Sequence, residues 1–148
     1  MIFILYRARQ FGFSIATMLT LYQWYIRTGL ECAAPVWHAG LTEQQKTCLE
    51  RVQKRCFRII LGDDYGSYGD ALARLQSQTL FDRREALIIR FGKTLLKPAH
   101  RHMLPPTNWE VHQRTTRGAQ RLRTVLTRTE RYRKSAIPYI VEKLNSLA

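Results

Sequence analysis

The chain has 148 residues, 24 of them Lys or Arg against 11 Asp or Glu, giving a formal net charge of +13. That length suits one domain with a tail, and the 45% apolar and 11% aromatic content excludes wholesale disorder. The cationic surplus points to a polyanionic partner, nucleic acid before a membrane surface.

Residues 2–11 are apolar-rich and read as a short helix closed by Gly12. The opening Met1-Ile2-Phe3-Ile4-Leu5-Tyr6 has no basic residue before it and no small-residue cleavage site after it, which argues against a secretory signal. Ser14 then offers an N-cap for a second helix, in which Leu19, Tyr22, Ile26, Leu30 and Ala33 recur at steps of three and four. Ser14, Thr17, Thr20 and Gln23 make this stretch too polar for a membrane span, and Pro35 is expected to kink or end it.

Thr42 and Gln45 form a T-x-x-Q capping box that starts a helix running to Leu61, with Gly62 as a left-handed C-cap. Leu49, Val52, Cys56, Ile59 and Ile60 make its apolar stripe. Arg51, Lys54, Arg55 and Arg58, at i, i+3, i+4 and i+7, form a separate cationic ridge. Ser67 with Asp70 caps a short helix through Leu75, and Thr79 with Asp82 starts another running to Lys97. In that last helix Leu80, Leu87, Phe91 and Leu95 fall inside, and Arg83, Arg90, Lys93 and Lys97 outside. Arg84 lands near the apolar side, so a carboxylate or helix C-terminus is expected to pair it.

After Pro98 the texture changes. Between Arg114 and Lys134, Arg114, Arg117, Arg121, Arg123, Arg128, Arg131, Arg133 and Lys134 face Glu130 alone, which reads as a loosely ordered basic arm. Ser135 caps a final helix with Pro138 in its first turn and Ile137, Ile140, Val141 and Leu144 facing inward. The expected fold class is therefore all-α: a helical bundle in residues 1–104, the basic arm in 105–134 and a C-terminal helix in 135–148.

Catalytic signals are weak. Asp63-Asp64 invites comparison with the metal-binding carboxylates of polymerases, but those need a β-hairpin, and here the left flank is helical. A helix C-cap turn is the better reading. Gly62, Gly66 and Gly69 lack the Gly-Lys-Ser/Thr of a phosphate loop. Cys32, Cys48 and Cys56 are odd in number without C-x-x-C spacing, so reduced, partly buried thiols of an intracellular protein are expected. His100 and His102, with His38 and His112 elsewhere, lack the companions zinc requires and read as partly exposed structural or phosphate-contacting groups. No cofactor, metal or small-molecule substrate is expected. What remains is electrostatic: Arg51, Lys54, Arg55, Arg58, Arg83, Arg90, Lys93, Arg114, Arg117, Arg121, Arg123, Arg131 and Arg133 as phosphate contacts. Trp109, Tyr132 and Tyr139 are candidates for stacking on unpaired bases.

Several strings, taken in order, carry a resemblance. They are Ala34-Pro35-Val36-Trp37, then Leu49-Glu50-Arg51-Val52-Gln53-Lys54-Arg55, Ile59-Ile60-Leu61-Gly62, Arg83-Arg84-Glu85, and finally Arg131-Tyr132 with Ser135-Ala136-Ile137-Pro138-Tyr139 and Leu144-Asn145. Together they resemble the C-terminal region of the polyprotein of non-LTR (LINE-type) retrotransposons, downstream of the reverse-transcriptase palm. The resemblance implies a helical region that includes or follows the thumb and grips the template–primer duplex. The implied partner is RNA or an RNA–DNA hybrid, in the nucleus or cytoplasm and not at a membrane. It also implies that the family's catalytic aspartates, endonuclease, fingers and palm lie outside this stretch, so that Asp63 and Asp64 do not inherit a catalytic role. The chain then reads as a non-catalytic fragment of an RNA-directed DNA polymerase. The alternatives are a helical protein-interaction module or a non-functional remnant. The segment from Tyr6 to Trp37 is also similar to a region named after the N-terminal part of an alkylated-DNA-repair dioxygenase homologue. The iron and 2-oxoglutarate which that name implies have no H-x-D motif here to receive them.

Overall fold

A computed structural model describes residues 2–147. The class is all-α: among the described residues there is no strand, only an isolated antiparallel bridge between Thr107 and Leu122. Among the described residues no helix is long and apolar enough to cross a membrane. The chain divides into two compact units. The first holds Met1–Cys32 with Thr42–Arg83, and the second Ala33–Leu41 with Arg84–Ala148. The division falls within a helix, not after residue 104 as the sequence suggested, because the second unit draws its core from widely separated segments.

The first unit begins with α1 (Phe3–Gln10) and α2 (Ile15–Leu21), the latter capped by the Ser14 hydroxyl accepting from the Thr17 amide at 3.2 Å. From α2 the helix widens into a π-helical stretch, Tyr22–Arg27, before α3 (Thr28–Glu31). The Thr28 hydroxyl donates to the carbonyl of Gln23, five residues back, as the wider turn allows. The expected helix through Ala33 thus stops earlier. Ala33 adopts a left-handed φ of +52° and lies exposed, and Pro35 sits in the first turn of α4 (Ala34–Trp37), where its missing N–H is harmless.

The main helix of this unit is α5 (Glu43–Leu61). The Thr42–Gln45 capping box is formed, with the Gln45 amide donating to the Thr42 hydroxyl at 3.3 Å and the Thr42 amide to the Gln45 side chain at 2.9 Å. Its buried face carries Gln53, Cys56, Phe57, Ile59, Ile60 and Leu61. These residues pack with Leu5, Ala8, Met18, Tyr22, Ile26, Ala71 and Leu75. Phe57, wholly buried, meets Tyr22 edge-on with centroids 5.3 Å apart. The side-chain amide of buried Gln53 donates to the carbonyl of Gln78 at 2.9 Å, while its Oε1 is left without a hydrogen bond. Then α6 (Tyr68–Arg74) follows its Ser67–Asp70 capping box. Burial pushes the Cys56 thiol up to about 11, whereas Cys32 and Cys48 are exposed.

Helix α7 (Leu80–Leu95) starts at the expected Thr79–Asp82 pair, where the Asp82 amide donates to the Thr79 hydroxyl at 3.0 Å. Its buried line is Leu80, Arg84, Ile88, Gly92 and Leu95, and Phe91 is 41% exposed, not internal. Glycine chooses that face. In the second unit, a Cβ on Gly92 would come within 2.9 Å of Ile140 Cγ2 and 3.3 Å of the Leu144 side chain, so α10 (Ala136–Ser146) rests directly on backbone there. Gly92→Ala is expected to destabilise by about 1 kcal/mol in chemical denaturation, because overpacking outweighs the helix-propensity gain.

The second unit packs Ile88, Leu95, Leu104, Leu122, Ile140, Val141 and Leu144 together. The basic arm is anchored more firmly than its composition suggested. Thr107 and Glu110 form a capping box for α8 (Asn108–His112), and the Asn145 side chain bonds both the amide and the carbonyl of Leu122 at 2.9 Å each. Asn108 donates to the carbonyl of Gly118 at 3.0 Å. After α9 (Glu130–Arg133), Ser135 stands at the N-cap of α10, but its hydroxyl turns back to donate to the carbonyl of Tyr132 at 2.7 Å.

Arg84 is fully buried, as the sequence implied, but its partner differs. Its Nε donates to Nδ1 of His38 at 3.1 Å and its guanidinium lies 5.9 Å from the Trp37 ring centre. His38 is therefore a buried core group, not an exposed one. Because Nδ1 accepts from a cation, the ring proton sits on Nε2 and faces Glu85 at 3.0 Å. Tyr139 and Lys143 also donate to Glu85, Lys143 at 2.5 Å. Burial opposes the charge on Glu85, yet the hydrogen bonds from Lys143 and Tyr139, with the charge of Lys143, hold the carboxyl below its usual range. A carboxyl more acidic in the folded state adds stability above its unfolded value, and that stability is lost as pH falls through the folded value. Urea midpoints are thus expected to drop between pH 6 and pH 3, and less steeply in Glu85→Gln.

Candidate nucleic-acid interface

The expected ridge on α5 is present. Arg51, Arg55 and Arg58 are exposed and Lys54 is half-buried. Two tyrosines support it: Lys54 Nζ lies 4.8 Å from the Tyr68 ring centre and the Arg58 guanidinium 5.3 Å from that of Tyr65. Among the described residues no carboxylate pairs with these four cations. The nearest in sequence, Glu50, is committed to the Tyr68 hydroxyl at 2.7 Å and the Phe81 amide at 2.8 Å. Four like-charge pairs at i,i+3 or i,i+4 therefore stand uncompensated on one helix face. At roughly 0.2–0.5 kcal/mol each, they cost the fold about 1–2 kcal/mol. Such a stripe works against stability, which is the physical reason to ask what it binds.

The ridge forms one wall of a cleft of about 590 Å³, lined also by Tyr6 and Arg9 of α1, by Ile59 and by Gly62. Arg9 is the residue the sequence did not reveal. Its guanidinium donates to the carbonyl of Ile59 at 2.7 Å, placing a cation at the C-terminal end of α5, where unsatisfied carbonyls favour one. Gly62 makes room for it. Its φ of +58° is positive as a left-handed C-cap requires, but ψ at −121° departs from the expected αL cap, and a Cβ there would fall within 1.8–2.2 Å of Arg9 atoms. Only the glycine at the end of α5 hinted at a close approach; nothing local named its partner.

Asp63 and Asp64 occupy a 3-10 turn, Gly62–Asp64, directly after α5. Asp64 binds Arg74 at 2.9 Å. The geometry is that of a helix-ending turn.

Arg83, expected as a phosphate contact, is engaged by an acidic residue of the chain. Its Nε and Nη2 donate to Glu31 at 2.5 and 3.0 Å, a forked ion pair within the first unit that occupies the guanidinium edge. The hydrogen bond it donates to Glu31 comes first in keeping Arg83 protonated even more firmly than usual. Arg133 is likewise engaged, with Glu130 at 2.8 Å.

In the second unit, Arg90 and Lys93 are exposed on α7 and line a shallow concavity of about 490 Å³ with Ala86, Ile89, Thr94 and Lys97. Arg114, Arg117, Arg121, Arg123 and Arg131 are all exposed. The last two arm arginines before residue 125 flank Leu122, whose burial fixes their backbone. Of the stacking candidates, Trp109 and Tyr132 are about half exposed, but Tyr139 is half-buried and its hydroxyl is spent on Glu85. Comparison with protein-family models, curated proteins and solved structures finds no match for this chain.

Proposed function

We propose that this chain is a non-catalytic module that binds the sugar-phosphate backbone of RNA or an RNA–DNA hybrid. In this reading it corresponds to the thumb and downstream region of a non-LTR retrotransposon RNA-directed DNA polymerase. The observation that carries the binding function is the α1–α5 cleft, where Arg9, Arg51, Lys54, Arg55 and Arg58 converge with no carboxylate among its lining residues. The eleven acidic residues are largely committed elsewhere, to caps such as Asp70 and Asp82 and to pairs such as Glu31–Arg83 and Glu85–Lys143. Backbone contacts of this kind position a polynucleotide without reading its sequence. The retrotransposon origin rests on the ordered resemblance of sequence strings alone.

The test is fluorescence anisotropy with labelled RNA and RNA–DNA hybrid across salt, with polyglutamate of matched charge as competitor. If six or more phosphates are engaged, affinity falls about a thousandfold or more between 50 and 200 mM salt. A flat salt response, or displacement by polyglutamate at the same concentration as by unlabelled RNA, would favour a protein-interaction module instead.

A further inference from the structure

The cleft has a chemical asymmetry that a plain cationic surface lacks. Tyr6 lies three residues before Arg9, so both project from one side of α1, and both line the cleft opposite the ridge. Tyr6 remains 43% exposed, so its ring is open to a ligand. The other two tyrosines nearby are already covered, Tyr65 by Arg58 and Tyr68 by Lys54. The cleft therefore offers one uncovered aromatic ring facing a set of guanidinium and ammonium groups.

Size separates the classes of polynucleotide. A volume of about 590 Å³ lies in the range that encloses one small molecule. A duplex, whose major groove alone is about 12 Å wide, rests on the α5 ridge at its rim and does not enter. A duplex touches only the exposed outer cations, Arg51, Arg55 and Arg58. An unpaired nucleotide can enter, and a ring beside cations is what a base joined to its phosphate requires. Arg9 is suited to meet that phosphate. It is held in place by the Ile59 carbonyl, which engages one of its five N–H donors.

We propose that the α1–α5 cleft seats one unpaired nucleotide of a single strand, its phosphate among Arg9 and the α5 cations and its base stacked on Tyr6. This rests on the nucleic-acid reading of the same cleft and adds the class of strand it accepts. The expected footprint at this site is single-stranded RNA or DNA, or the unpaired end of a duplex.

The experiment compares a single-stranded oligonucleotide with a blunt duplex of the same length by anisotropy, using the whole chain and the variants Tyr6→Ala, Tyr6→Leu, Tyr6→Phe and Arg55→Ala. Loss of the ring is expected to weaken single-strand binding about tenfold while leaving duplex binding within twofold. Tyr6→Phe keeps the ring and is expected to bind as the parent does. Tyr6→Leu keeps apolar bulk without an aromatic face, so it is expected to match Tyr6→Ala and to exclude a mere packing defect. Arg55→Ala is expected to weaken both ligands. Equal losses on single strand and duplex in the Tyr6 variants, or no loss on either, would overturn the nucleotide seat while leaving backbone binding intact. Failure of every form to bind either ligand would remove the nucleic-acid reading and this inference with it.

Discussion

Replacing Arg51, Arg55 and Arg58 together with alanine is expected to lower affinity for RNA or hybrid about a thousandfold at 50 mM salt. The reasoning follows from counterion release. Each lost phosphate contact removes roughly 0.7–0.9 from the slope of log affinity against log salt, so three contacts reduce the slope by about 2–3. The same substitution is expected to leave thermal stability unchanged or slightly raised. It removes the four like-charge pairs on α5, and none of the three side chains is buried. The loss of binding distinguishes a binding ridge from a solvated face, whose removal would relieve the same repulsion and leave binding unchanged. A salt titration and a thermal melt on the same preparations read both quantities.

The second large effect lies beneath the ridge. Phe57→Ala is expected to cost about 3–5 kcal/mol, because the ring is wholly buried and the site is lined by Tyr22 and neighbouring core residues. Against a typical total of about 5–15 kcal/mol, that is a large share, and the melting temperature is expected to fall by on the order of 15 °C or more. Phe57→Leu, which keeps most of the volume, is expected to lose less than about 1.5 kcal/mol. Because Phe57 sits between Arg55 and Arg58 on α5, the alanine variant is also expected to lose binding wherever it unfolds, and to regain it under conditions that refold it. Loss of binding in a fully folded Phe57→Ala protein would mean that the ring shapes the cleft directly.

What the sequence made legible is what short-range chemistry decides. The Thr42–Gln45, Ser67–Asp70 and Thr79–Asp82 helix starts are all formed, because each is a hydrogen-bonded exchange between residues three apart. The α5 ridge was readable for the same reason, as a spacing on one helix. What escaped depends on contacts across long stretches of chain. The forked pair that engages Arg83 joins residues 52 positions apart. The inward face of α7 is set by Gly92, which has no side chain to announce itself, and not by Phe91. The arm looked loose because it is rich in arginine, yet Leu122 and the side chain of Asn145 tether it. The π-helical stretch at Tyr22–Arg27 leaves Trp24 and Tyr25 exposed, and the helix ends at Cys32 and the left-handed Ala33, which periodicity at steps of three and four does not reveal.

Arginine footprinting with phenylglyoxal, read residue by residue by mass spectrometry with and without saturating RNA, tests most directly where this chain holds a polyanion. The account predicts strong protection of Arg51, Arg55 and Arg58, and of Arg9 when the RNA carries unpaired nucleotides. Arg74, paired with Asp64 away from the cleft lining, is expected to keep its reactivity. Uniform protection across all exposed arginines, or protection that spares α5, would contradict it.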